Sequence, residues 1–169
     1  MGLSKKEKER LAEDKFKEWL NGNKIPFWYI QQDKLTFADA FREEMSRRPD
    51  FIILLPNIGF IITDVEYKEP AKKYAQFQIN VDETYKYCHV QEKYRLHIWY
   101  VFSNAKNHFN IWYWIPVSKV KEIGKNKKYG DYFGIPLDKL PRIVKPWEII
   151  GELQESVAEK CGLVKGIPI

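Results

Sequence analysis

Apolar residues first fall into a helical stripe. Leu11, Phe16, Trp19 and Leu20 share one side of a helix predicted over residues 4–21. Ser4 can cap its start, with Glu7 at capping-box spacing, and Asn21-Gly22-Asn23 ends it. IPFWYI (25–30) reads as a strand, and residues 36–45 as a short helix with Phe37, Ala40 and Phe41 on one side. A hairpin follows: FIILL (51–55), a turn at 56–59, and FIITDVEYK (60–68), which Pro70 ends. Residues 74–93 read as a long helix with Phe77, Val81, Thr84 and Cys88 on one face. LHIWYVF (96–102) is apolar on both faces, as a central strand would be, and FNIWYWI (109–115) is a further strand. Five lysines then crowd residues 119–128, residues 129–146 are turn-rich, and a last helix is expected from Trp147 to Lys160. This order predicts an α/β protein, a three-layer sandwich with a central mixed β-sheet flanked by helices. The 169 residues read as a single domain, with a core at about 5–115 and a C-terminal extension at about 116–169.

Composition agrees with a packed domain. Hydrophobic residues make up 44% and charged residues 30%, which excludes a disordered chain. Aromatics reach 15%, and Trp112 and Trp114, on one strand face, read as core or a dimer surface rather than as base-stacking platforms. The net charge of +5 permits an anionic partner without specifying one. Cys88 and Cys161 both fall in helical patterns, so they read as small buried residues in a reducing compartment. No secretory pattern opens the sequence, and no apolar run is long enough to span a membrane, so a cytoplasmic location is expected. His89, His97 and His108 lack metal-ligand spacing.

The second hairpin strand carries the chemistry. Alternation puts Asp64, Glu66 and Lys68 on one face and Thr63, Val65 and Tyr67 on the other. Burying an unpaired charge costs several kcal/mol, roughly, so such residues need ion partners or a metal. Asp50 opens the neighbouring strand, and the hairpin folds it back toward Glu66 and Lys68. Converging carboxylates suit a hard cation, Mg²⁺ or Mn²⁺. A lysine beside them can orient water and meet developing negative charge. Asp64 is expected to be an exposed residue toward the sheet's far end rather than a further ligand.

Arg48-Pro49-Asp50, then fifteen residues, then Glu66-Tyr67-Lys68 resembles the signature of the PD-(D/E)XK nuclease superfamily, which includes Holliday-junction resolvases and many restriction enzymes. The resemblance implies a restriction-endonuclease-like fold and a Mg²⁺-dependent (or Mn²⁺-dependent) deoxyribonuclease. It implies metal ligation by Asp50, Glu66 and the main-chain carbonyl of Tyr67, with Lys68 catalytic. A family glutamate on the first helix maps best to Glu13, with Glu9 and Glu18 as competitors. Gln76 and Gln78 lack the tyrosine four residues on that an exonuclease-like branch carries. A structure-specific or resolvase-like endonuclease, acting on DNA as a homodimer, is therefore expected. Arg47, Arg48, Lys72 and Lys73 are the candidate phosphate contacts, while the lysines of 119–128 suit either phosphates or a solvated loop. The competing readings are a catalytically silent nucleic-acid-binding or assembly protein on the same scaffold, and a protein-interaction module.

Overall fold

The computed structural model describes residues 2–30, 38–44, 48–55, 59–71, 74–124, 128–140 and 142–143. Helix α1 (Lys5–Gly22) starts as its sequence directs, with Ser4 and Glu7 forming a reciprocal capping box. Strand β1 (Phe27–Tyr29) and helix α2 (Asp39–Glu44) follow. Strands β2 (Phe51–Leu55) and β3 (Gly59–Tyr67) make the predicted hairpin, with Phe51 opposite Thr63. The chain then runs through β4 (Gln76–Asn80) and α3 (Val81–Tyr94) to β5 (Ile98–Ser103), which pairs parallel to β3. Strand β6 (Trp112–Pro116), helix α4 (Val117–Gly124), and strands β7 (Lys128–Tyr129), β8 (Tyr132–Pro136) and β9 (Arg142–Ile143) complete the described chain.

The main sheet has the order β1-β2-β3-β5-β6-β9 and is mixed, because β3 and β5 run parallel while the other neighbours are antiparallel. Strand β5 is central and buried at every residue, as its two-faced apolar sequence requires. Helix α1 covers one face. There Phe16 touches the rings of Phe51, Trp112 and Trp114, and both tryptophans are core residues. The other face is covered by α3, α4 and a smaller β4-β8-β7 sheet, around Tyr87, Cys88, Tyr100 and Phe133. These are the three layers of an α/β sandwich.

The structure corrects three element predictions. Residues 76–80 form a strand, and the helix begins only at Val81, capped by Asn80. Gln76–Asn80 is drawn out by pairing with β8, more than fifty residues away, so no local signal marks it. The lysine-bearing stretch from 119, for which phosphate contact and a solvated loop are the two readings, instead belongs in part to α4, whose Val117, Val120 and Gly124 are buried at helical spacing. The turn-rich stretch contributes β8 to the smaller sheet and β9 to the main one. The helix expected at 147–160, the turn residues 56–58 and Cys161 lie outside the described residues. Among the described residues, no helix is long and apolar enough to cross a membrane.

Candidate active site

Strand β3 separates two groups of charged residues. Its odd-numbered side chains, Ile61, Val65 and Tyr67, pack toward α1, while Ile62 packs toward α3. Asp64 and Glu66 therefore face α3, where Glu83 meets them from the first helical turn. Carboxylate oxygens of Asp64, Glu66 and Glu83 lie within 4.8 Å of one another. Lys68 joins them, with Nζ 2.8 Å from Glu66 Oε2. Asp64 is 0% exposed, which overturns its reading as an exposed residue. The strand pattern showed its face but not the helix that closes over it.

The donor set fits a hard divalent cation. Three carboxylates, one of them deeply buried, converge beside the Lys68 ammonium, an all-oxygen set of the kind a hard divalent cation favours. Tyr100, paired with Asp64 on β5, registers that field. Burial first, then the charges of Glu83 and Asp64, push its phenol well above the ordinary range.

On the α1 side, Asp50 stands where β2 begins. Its N–H donates to the Thr63 carbonyl at 2.9 Å, and its Oδ2 accepts the Val65 N–H at 2.7 Å. The carboxylate thus takes the place of a strand partner just where β2 pairing ends, beside Asp64 and Glu66. Asp50, only 6% exposed, also lines an open cleft of about 460 Å³. Glu9, Glu13, Asp14, Tyr29 and Arg48 line the same cleft, with Lys6, Arg10 and Lys17. The Tyr29 hydroxyl donates to Glu13 Oε2 at 2.6 Å. Burial, this bond, and the charges of Glu13, Asp50 and Asp14 raise the phenol's pKa.

The predicted residues thus fall into two neighbouring sets. Glu13, Arg48 and Asp50 share the cleft, while Glu66 and Lys68 pair within the acidic cluster. Asp50 bridges the two through the main chain of Val65.

No protein-family model matches the chain, and no curated protein matches it. Solved structures do. The chain is similar to a Holliday junction resolvase from Archaeoglobus fulgidus, with 9% identity and a TM-score of 0.50, over 76% of this chain and 88% of that one. It is also similar to a nuclease from a fusselovirus, with 11% identity and a TM-score of 0.50, over 95% of this chain and 99% of that one. The fold is restriction-endonuclease-like.

On this restriction-endonuclease-like scaffold, Lys68 is held by its main chain at the point where β3 ends. Its N–H donates to the Ser103 carbonyl at 3.1 Å, and its carbonyl accepts Asn104 Nδ2 at 2.8 Å. Asn104 is buried and also caps the short turn at 105–107, so its position is set independently of Lys68. Tyr67 bonds Glu69 and the Ala105 N–H through its hydroxyl. Arg47, Lys72 and Lys73 lie outside the described residues. Sequence reasoning missed Glu83, Tyr29 and Asn104. Only Glu83 had a local signal, standing three residues after the capping Asn80.

Proposed function

We propose that this chain is a divalent-metal-dependent endonuclease that hydrolyses DNA phosphodiester bonds, resolvase-like in its preference for structured DNA. The observation that carries this reading is the Glu66–Lys68 pair inside a cluster of three carboxylates, with Asp50 bonded to the intervening strand. Asp50, Glu66 and the Tyr67 carbonyl would hold Mg²⁺ or Mn²⁺, and Asp64 and Glu83 would add negative charge beside them. Such a cation, when bound, supplies Lewis-acid polarisation of a phosphoryl oxygen and acidifies water.

The chain's own groups do the rest. Lys68, fixed by Ser103 and Asn104, presents an ammonium that orients the attacking water and meets the charge growing on the phosphorane oxygens. Glu13 assists from α1 across the cleft. Arg48, with Arg47, Lys72 and Lys73, contacts phosphates and sets the strand's register without reading sequence. Two such sites in a cytoplasmic homodimer would cut both strands of a duplex or junction.

The test is incubation with plasmid, linear and branched DNA in Mg²⁺, Mn²⁺ or EDTA, repeated with Lys68→Ala and Glu66→Ala. Cleavage that requires metal and disappears in both variants is expected. Binding without metal-dependent cleavage of any substrate would replace this reading with the silent nucleic-acid-binding one. Cleavage persisting in both variants would overturn the residue assignment.

A further inference from the structure

Of the three acids that converge beside Lys68, Glu83 alone stands on an element outside the nuclease signature. The turn that carries it is tied down on three sides. Asn80 Oδ1 accepts the Glu83 N–H at 2.9 Å, and Thr84 Oγ1 donates to the Asn80 carbonyl at 2.7 Å. The Val81 N–H donates to the Asp131 carbonyl, in the β7–β8 turn, at 2.9 Å. Thr84 also stands 3.4 Å from the Tyr100 hydroxyl on β5. From this fixed turn a Glu83 carboxylate oxygen comes within 4.8 Å of those of Asp64 and Glu66. Oxygens about 2.1 Å from a Mg²⁺ lie at most about 4.2 Å from one another, and rotation of the partly buried Glu66 and Glu83 side chains covers the difference. Acids gather on many surfaces without an ion. Here Asp64 is fully enclosed, and Glu66 is the acid that the nuclease reading already gives to the cation. An acid in the first turn of a helix also stabilises that helix through its dipole. Asp82 supplies such a charge in the same turn, exposed and paired with Lys86 at 2.8 Å, yet only Glu83 joins the cluster.

We infer that Glu83 is a ligand of the bound cation, shared with Glu66 and Asp64, so that metal binding ties the first turn of α3 to β3. This rests on the nuclease reading above for the cation and adds to its ligands an acid from a helix outside the signature.

Titration calorimetry of Mn²⁺ into the DNA-free protein tests it. Glu83→Gln should weaken the affinity about 10–100-fold, the scale on which metal sites suffer when a supporting group is lost. Asp82→Asn removes a charge from the same helical turn and should leave the affinity unchanged. Glu83→Asp keeps the charge but withdraws it by one methylene. It should weaken binding less than Glu83→Gln, and it carries the test if the amide variant does not fold. Saturating Mg²⁺ should slow amide hydrogen exchange over residues 81–84 in the wild type and not in Glu83→Gln. Equal weakening by Asp82→Asn would reduce Glu83 to a share of the helix charge and overturn the inference. So would unchanged Mn²⁺ affinity in Glu83→Gln and Glu83→Asp, and with metal-dependent cleavage intact the nuclease reading would stand. Mn²⁺ bound through Glu83 without cleavage of any DNA keeps the ligand and fails the nuclease reading. Wild-type protein that neither binds Mn²⁺ nor cleaves DNA fails both.

Discussion

The two sides of strand β3 solve the same problem differently. Toward α3, Asp64, Glu66 and Glu83 are packed together with one lysine, and the most buried of them is fully enclosed. Toward α1, the acids are spread along an open cleft, interleaved with Lys6, Arg10, Lys17 and Arg48, and each is held by a neutral donor or a neighbouring base. The first side concentrates charge and asks for a counterion. The second disperses charge and is shaped to admit a polyanion. The two are joined through one peptide unit, because the acid that opens β2 bonds the N–H between Asp64 and Glu66.

That contrast can be broken in order of expected effect. Lys68→Met should lower metal-dependent cleavage by about 10²–10³-fold, the usual scale for losing an electrostatic donor at a transition state. A single-turnover assay on plasmid would show it, and a loss as small as that of Glu13→Gln would erase the distinction between the sides. Next, saturating Mg²⁺ should raise thermal stability, by about 2.7 kcal/mol at a hundredfold excess over Kd. In Asp64→Asn that rise should shrink while the metal-free protein becomes more stable, since a buried like charge has been removed. Calorimetric melting with and without Mg²⁺ reads both; an unchanged rise would show that the α3 side is not where metal binds. Asp50→Ala strips the buried Val65 N–H of its acceptor and should cost about 1–3 kcal/mol in urea unfolding. Smallest, Ser4→Ala removes the α1 cap for about 1 kcal/mol. It should leave Mg²⁺-linked stabilisation unchanged, because the cap lies on the cleft side alone.

What was legible in the sequence was local. The capping box, the hairpin and the two-faced apolar run at 96–102 each announce themselves within a few residues, and all three appear in the structure, the last as the strand at 98–103. The placing of Asp50 beside the end of β3 followed from the hairpin. What failed was non-local. The β4 strand is defined by β8, and Asp64 is buried by a helix that begins some seventeen residues later. Tyr29 carries no pattern at all; its bond to Glu13 rests on the side-by-side pairing of β1 with β2 and on where α1 lies across them.

Strand β1 has one more consequence, for self-association. It forms one edge of the main sheet, and an edge presents unpaired main-chain groups to any second strand. Over the described residues that edge is only three residues long, and Pro26, which has no N–H to offer, stands directly before it. Trp28 projects from it 61% exposed. A second copy pairing with these described residues would gain a ladder of three residues, too little by itself to hold two subunits together. Among the described residues, the same brevity guards this edge against runaway aggregation, and a second copy meeting it would be held by side chains such as Trp28 more than by main-chain pairing.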